Sequence, residues 1–315
     1  MSAMRIQRAG LLTTVQDLGR RGYQALGVPP CGAMDSWSAR LANRLAGNPD
    51  RFAVLEITIV GPRFAIDREA WIAVTGADFE VRIGAATHRV PFVSHVLPGT
   101  EVAFGERTCG ARAYLAVDGG IATPPVLGSA STHVLARMGG VDGRALTAGD
   151  RVPLGAHRTV PPPQLLSLDL AALTPRSETT LHVVPGMAGD DIAAEAFETL
   201  CREPFTLSAR SDRMGYRLSN SVRWPAVSAS QLSSPTATGA IQLPPDGTPI
   251  LLMADRQTTG GYLQIGVLQR ADRPSAGQLA PGDRVSFAAT TIQAAAAAHV
   301  ALETRLNTIA AEVRA

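Results

Sequence analysis

Leu146-Thr147-Ala148-Gly149-Asp150-Arg151-Val152-Pro153-Leu154 and Leu279-Ala280-Pro281-Gly282-Asp283-Arg284-Val285-Ser286-Phe287 are two copies of one pattern. Each sets a leucine before Gly-Asp-Arg-Val and ends on an apolar residue two places later. The glycine suits a turn at positive φ, and Val with the apolar residue two on shares one face of a half-buried strand. Leu97-Pro98-Gly99-Thr100-Glu101-Val102-Ala103-Phe104 is a looser copy. One close copy near the end of each half of the chain predicts two β domains of similar design.

The residues around these copies extend the reading. Val54 to Val60 before Gly61-Pro62, Trp71 to Val74 before Thr75-Gly76, and Ala113 to Val117 before Asp118-Gly119-Gly120 read as short strands closed by turns. Such spacing points to a barrel or sandwich, so the fold class is mainly β with a few helices. The N-terminal domain is set at 1–155 and the C-terminal one at 181–290. Residues 156–180 are the connection, where Pro161-Pro162-Pro163 can neither continue a helix nor sit inside a sheet. Three helices are predicted. Asp35 caps Ser36 to Ala46, with Gly47 as the stop. Asp190 to Cys201 carries acids at its N-terminus. The alanine-rich segment Thr291 to Val313, within the terminal 291–315 segment, puts Leu302, Leu306 and Ile309 on one side.

Composition removes whole classes of function. The 315 residues are 45% hydrophobic with a net charge of +2, which gives no field for nucleic acid or an anionic membrane surface. No segment approaches the roughly 20 apolar residues of a membrane span. Three scattered cysteines, Cys31, Cys109 and Cys201, fit neither a disulfide framework nor a thiolate metal site, and a cytoplasmic location is expected. Cys31 reads as a small buried turn residue. The six histidines form no HxH or HExxH pair, so no metal is expected. The chain contains no lysine, so all its basic charge is arginine. It therefore carries no Walker lysine and no covalent biotin, and any such group belongs to another polypeptide.

Two runs hold the candidate chemistry, Ser211-Asp212-Arg213-Met214-Gly215-Tyr216-Arg217-Leu218 and Asp255-Arg256-Gln257-Thr258-Thr259-Gly260-Gly261-Tyr262. In a functional reading Asp212 and Asp255 are acid-base or orienting carboxylates. Arg213, Arg217 and Arg256 bind a carboxylate or phosphate, and Tyr216, Gln257, Thr258, Thr259, Gly260 and Gly261 contact the ligand. In a structural reading Asp212 and Arg213 make ion pairs and Gly260-Gly261 turns a hairpin. Asp17 and Arg20, in Gln16-Asp17-Leu18-Gly19-Arg20, repeat the composition near the N-terminus and join the candidate set. Gly128-Ser129-Ala130-Ser131-Thr132-His133 lacks the G-x-S-x-G elbow of a hydrolase and reads as a turn.

Eight motifs in order then resemble one family. They are Val15 to Arg20, Gly32 to Asp35, Leu41 to Asn43, Leu55 to Pro62, Gly119 to Ser129, Asp212 to Leu218, Gly239 to Pro244 and Asp255 to Tyr262. The chain resembles the allophanate hydrolase subunit 2 family, also described as a biotin-dependent carboxyltransferase family, over roughly residues 4 to 290. The resemblance implies two cyclophilin-like β-barrel domains. It implies a hetero-oligomer with a homologous B-type partner, allophanate hydrolase subunit 1-like, and with an A-type partner. It also implies the C-type component of an ATP-dependent 5-oxoprolinase, which opens the lactam to L-glutamate, with ATP used through the complex. Two other roles follow from the same family: the carboxyltransferase half of a biotin-dependent urea or amide carboxylase, and a non-catalytic regulator that binds a kinase-inhibitor-like homologue of the B-type partner. Ser233-Ser234-Pro235 departs from a frequent Ser-Glu-Pro, Leu263 from a frequent Pro, and Ser219-Asn220 from a frequent Glu-Gly.

Overall fold

The computed structural model describes residues 2–157, 178–186, 191–225 and 232–312. The expected proline connection at Pro161 to Pro163 and the expected acid at Asp190 lie outside the described residues. The chain divides into two compact units. One comprises Met1–Arg20, Cys31–Pro175 and Arg305–Ala315, and the other Arg21–Pro30 and Arg176–Thr304. The units are thus discontinuous in sequence, whereas the turn patterns drew contiguous segments.

The first unit is a curled nine-stranded sheet. Its strands are β1 (Ala3–Arg8), β2 (Leu12–Gln16), β3 (Val54–Thr58), β4 (Arg63–Ile66), β5 (Ala70–Ile83), β6 (Ala86–Arg89), β7 (Phe92–Val96), β8 (Glu101–Val117) and β9 (Arg151–Pro153). The order runs β2-β3-β8-β4-β1-β9, and β5 pairs with β6, β7 and β8. Two of the expected short strands are parts of long ones. Trp71 to Val74 opens the 14-residue β5 and Ala113 to Val117 closes the 17-residue β8. Gly76 does not end its strand, because register shifts between Gly76 and Val81 absorb it as a bulge inside an antiparallel ladder. Leu55, Ile57, Phe64, Phe79 and Leu115 have no accessible surface at the centre of this unit. Burying each contributes about 1.5–3 kcal/mol.

Helix α1 (Ser36–Leu45) packs on β5 and β8 and starts as expected, with the Asp35 carboxylate accepting from Ser38 N at 2.9 Å. A buried polar chain fixes its approach. The Glu56 carboxylate accepts from Met34 N at 2.8 Å and from the Tyr114 hydroxyl at 2.9 Å, and that hydroxyl accepts from Asp35 N at 2.8 Å. Burial, with the Glu56 and Asp35 carboxylates beside it, pushes the Tyr114 hydroxyl well above its ordinary pKa, so it stays a neutral donor. Asn43, from the third family-like motif, holds the Phe52 carbonyl at 2.7 Å.

The second unit is a closed seven-stranded barrel. Its strands are β10 (Glu178–Pro185), β11 (Phe205–Leu207), β12 (Gly215–Ser219), β14 (Ala240–Leu243), β15 (Ile250–Leu252), β17 (Leu263–Leu268) and β18 (Arg284–Ala289). The order is β10-β17-β14-β15-β12-β11-β18, and parallel pairing of β18 with β10 closes the ring. A small ribbon pairs β13 (Ser234–Pro235) with β16 (Thr259–Gly260). Helices α2 (Asp191–Arg202), α3 (Arg273–Gly277) and α4 (Ile292–Glu312) complete the chain. α4 buries Leu306 and Ile309, as its spacing predicts, and leaves Leu302 half-buried. Closure is complete in the second unit, and the first curls into a half-barrel sheet, in keeping with the two β-rich domains expected.

The repeated turn takes one shape in both units. Gly149 and Gly282 each have φ of +94°, which only glycine adopts without strain. Asp150 accepts from Thr147 N at 2.7 Å, and Asp283 accepts from Ala280 N at 2.8 Å. Each turn then feeds a strand, β9 or β18, whose valine is buried.

Candidate functional site

The two C-terminal runs meet where β12 begins and β15 ends. Asp255 N donates to the Arg213 carbonyl at 2.9 Å, and Met253 N donates to the Met214 carbonyl at 3.0 Å, which extends the β12–β15 ladder past its last pair. That register sets the two side chains opposite each other. Arg213 Nε donates to Asp255 Oδ2 at 2.9 Å and Arg213 Nη2 to Asp255 Oδ1 at 2.8 Å. Both side chains are only 6% exposed. This is a bidentate, desolvated ion pair, the strongest form such a contact takes. It occupies both oxygens of Asp255 and two donors of Arg213. The expected role of Arg213 in holding a substrate carboxylate is therefore taken by Asp255.

Asp212 has backbone partners of its own. Its Oδ1 accepts from Met214 N at 2.8 Å and Gly215 N at 3.2 Å, and the side chain is exposed. This carboxylate closes the loop that leads into β12. Tyr216 is buried in β12, and Arg217 is half-buried, with its backbone N–H bonded to Ser211 Oγ at 3.0 Å.

Arg256 has a different setting. It is 2% exposed, and Nη2 donates to the Thr236 carbonyl at 3.3 Å. Thr236 also binds the following segment, since its N–H donates to the Thr258 carbonyl at 3.0 Å and its hydroxyl to the Gln257 carbonyl. Gln257 Nε2 donates to Gln242 Oε1 at 3.3 Å. Gly260 does not turn a hairpin. It pairs with Ser234 in the small ribbon, and a β-carbon there would stand 2.7 Å from Gln242 Nε2. The glycine lets the backbone approach the amides of Gln242 and Gln257. Thr259 pairs with Pro235, and Gly261 is half-buried beside the exposed Tyr262.

Residues outside the two runs join this end of the barrel. Arg273, at the start of α3, donates through Nη2 to the Thr238 carbonyl at 2.7 Å. Burial, with Arg270 and Arg256 nearby, lowers its pKa to about 10. Gln242, Thr236, Thr238 and Arg273 are absent from the sequence-based candidates. Gln242 stands within the Gly239 to Pro244 motif, which was its one available signal. Arg273 had none, because every cation in this chain is an arginine.

Asp17 and Arg20 lie in the first unit and fasten a loop. The Asp17 carboxylate accepts from Gly19 N, Ala130 N and the Ser129 and Ser131 hydroxyls at 2.6–2.8 Å. Arg20 is 1% exposed and donates to the carbonyls of Ser131 and Val126. The family-like motifs at Val15 to Arg20 and Gly119 to Ser129 are thus two sides of one tie. Cys31 is a buried turn residue with φ of +56°, as expected. Among the described residues no three His, Cys, Asp or Glu side chains gather as a metal set, and no helix is long and apolar enough to cross a membrane.

Comparison with known proteins gives a consistent result. The model of the carboxyltransferase domain, subdomain A and B, matches residues 26–289. The chain is 34% identical to the C subunit of Escherichia coli 5-oxoprolinase over 93% of both chains. It is 33% identical to the urea amidolyase of Saccharomyces cerevisiae over 91% of this chain and 16% of that enzyme. The crystal structure of Kluyveromyces lactis urea carboxylase superposes with a TM-score of 0.89 at 29% identity, covering 98% of this chain and 29% of that one.

Proposed function

Since this chain belongs to the carboxyltransferase domain, subdomain A and B, family, we propose that it is the C-type component of an ATP-dependent 5-oxoprolinase and works only in complex with its A-type and B-type partners. One observation carries this reading: the match to the C subunit of 5-oxoprolinase runs over 93% of both chains. The amidolyase match uses only 16% of its enzyme. The substrate is then a five-membered lactam bearing one carboxylate. Resonance protects its carbonyl from water, and activation at the expense of ATP belongs to the assembled complex.

This chain's share is binding and orientation. Asp255 locks Arg213 and thereby fixes the loop that carries Arg256. Arg256 is the candidate for the substrate carboxylate, with the amides of Gln242 and Gln257 and the Thr258 to Gly261 segment beside it. A ligand carboxylate on a buried guanidinium gains about 1.5–3 kcal/mol per charged hydrogen bond. The alternative is the carboxyltransferase half of a urea or amide carboxylase, receiving carboxybiotin from another polypeptide. The TM-score of 0.89 to a urea carboxylase over 98% of this chain favours it.

Glutamate release from 5-oxoproline and ATP, by this chain purified with its neighbouring subunits, tests the proposal. We expect activity in the full mixture and none when this chain is omitted. Activity without the chain, or none in the full mixture, overturns the 5-oxoprolinase reading. Urea-dependent ATP hydrolysis with a biotin carboxylase partner would install the alternative.

A further inference from the structure

A sheet that curls without closing keeps free edges, and in the first unit the chain's own backbone covers two of them. Beside β2, Thr132 N donates to the Val15 carbonyl and Leu146 N to the Thr13 carbonyl, both at 2.9 Å. Beside β9, Ala122 N donates to the Pro153 carbonyl at 2.8 Å. β6 and β7 pair only with β5 and form a further edge. Trp71 fixes which groups of β7 point outward. Its carbonyl accepts from Asp118 N at 2.9 Å and its N–H donates to Asp118 Oδ1 at 3.1 Å, so Trp71 faces β8. Main-chain groups alternate sides along a strand, so Ala70, Ile72 and Val74 face β7 and bond with their register partners Val96, Ser94 and Phe92. Val93 and His95 therefore turn their N–H and C=O groups away from the sheet. Among the described residues no other main chain reaches them, and the His95 carbonyl meets only the Ser94 hydroxyl, at a long 3.5 Å.

An uncovered edge is a template for another strand, and folds usually blunt it with charge or proline. The β6 part of this edge is blunted in that way: it is mostly exposed, and Arg89 and Pro91 close it. β7 is not. Phe92-Val93-Ser94-His95-Val96 contains no Asp, Glu, Lys, Arg or Pro, and its residues are buried or half-buried. The His95 ring lies 4.8 Å from that of Trp71, and its Nε2 is 2.8 Å from Glu69 Oε1, so this side chain is held on its own sheet. The strand is also self-complementary. Set antiparallel to itself about Ser94, it places Val93 opposite His95, Phe92 opposite Val96, and Ser94 opposite Ser94. No row brings like charges together. One row runs from Trp71 and His95 to Val93 and Ala73 of the second copy, so apolar side chains continue across the join.

We propose that a second copy of this chain pairs with β7 in that register, so that two curled sheets join across a two-fold axis at Ser94. Val93 of each copy exchanges both its main-chain hydrogen bonds with His95 of the other. Ser94 meets Ser94 at a non-hydrogen-bonded position, with Cα atoms roughly 4.5 Å apart. Two-fold contacts of this self-complementary kind are the commonest in soluble oligomers. One five-residue strand pair is small beside the roughly 1,200–2,000 Å² of a standard interface, so a concentration-dependent dimer is expected. This contact goes beyond the functional reading above and does not depend on it.

Sedimentation of the full chain over a range of concentrations tests this. A dimer that dissociates on dilution is expected. Val93→Pro removes an outward N–H and no bond to β5, so it is expected to stay folded and to sediment as a monomer. Should it fail to fold, Val93→Lys, which keeps the main chain and adds a charge to the edge, is expected to do the same. Ser94→Cys locates the axis. In the stated register its two sulfurs come within disulfide reach, so mild oxidation is expected to crosslink the dimer and a reductant to release it. The wild type, with Cys31, Cys109 and Cys201 in place, is expected to stay uncrosslinked under the same conditions. A chain that remains monomeric at every concentration overturns the proposal. So does a dimer that the folded Val93 variants leave intact, because the contact then lies elsewhere. A Ser94→Cys dimer that does not crosslink overturns the register. A monomer whose co-purification with a neighbouring subunit is lost in Val93→Pro also overturns the proposal, and makes that subunit the occupant of the edge.

Discussion

Two pairs of charges stand at the same end of the C-terminal barrel, one of opposite and one of like sign. Arg213 and Asp255 face each other through two hydrogen bonds and are neutral as a unit. Arg256 and Arg273 carry like charge and are held by backbone carbonyls. The first arrangement is an ion pair closed within the chain, and in the second each guanidinium reaches a main-chain carbonyl. An arginine beside a glycine is therefore not by itself a sign of ligand binding. The contrast is between Arg213, closed by a bidentate carboxylate, and Arg273, with which no carboxylate among the described residues pairs.

The sharpest way to break this contrast is to remove one half of the closed pair. Asp255→Ala leaves the Arg213 guanidinium buried with no compensation, which costs about 3–5 kcal/mol. Urea denaturation of the purified chain measures it. The double variant Arg213→Met/Asp255→Leu is expected to recover most of that loss, because it removes both charges together. Equal losses in the single and double variants would mean that the pair is not coupled.

The N-terminal unit has a closed charge site of its own. Asp17→Ala removes the acceptor of four donors from residues 19 and 129 to 131. The hydroxyls can turn to water, whereas the N–H groups have less freedom, so a loss of about 2–3 kcal/mol is expected. Faster proteolytic cleavage between residues 122 and 145 would accompany it. A stability equal to wild type would show that the tie is not needed.

Much of this organisation was legible in the sequence, and the illegible part has a physical cause. The Gly-Asp-Arg-Val turns, the Asp35 cap and the face of α4 are local, set by neighbours within four residues, and the structure has them as expected. Strand length was not legible, because a glycine that would end an isolated strand is absorbed as a bulge once a partner strand holds both sides. The Asp212 and Asp255 motifs were visible as motifs, but their division of labour was not. It depends on which residue the β12–β15 ladder sets opposite Arg213. Arg273 was invisible for the same reason: its meaning comes from the Thr238 carbonyl, 35 positions away.

Arg273 predicts the opposite sign from the closed pair. Arg273→Met removes a cation whose charged form is disfavoured by burial and by Arg270 and Arg256. Without an anion present, this variant is expected to be as stable as the wild type or up to about 1 kcal/mol more stable. The pH dependence follows. The folded-state pKa of about 10 lies below the ordinary range, so the unfolded chain holds its proton to higher pH. The penalty is full at neutral pH and is relieved as pH rises through about 10, so wild type gains on Arg273→Met there. Thermal melts of both proteins at about pH 8 and about pH 11 measure the difference. A wild type that instead loses ground over this interval would mean that Arg273 has an internal counter-charge.

The smallest effect decides the role of Asp212. If its carboxylate only closes the loop into β12, an amide oxygen at the same place accepts from Met214 N and Gly215 N just as well. Asp212→Asn is then expected to change stability by no more than about 0.5 kcal/mol, while Asp212→Ala costs about 1 kcal/mol. Turnover by the assembled complex should stay within about threefold of wild type in the asparagine variant. A general acid or base cannot be replaced by an amide, because an amide neither gives nor takes a proton near neutral pH. A fall of about a hundredfold or more would restore Asp212 to the chemistry and make the exposed loop into β12 a reacting element.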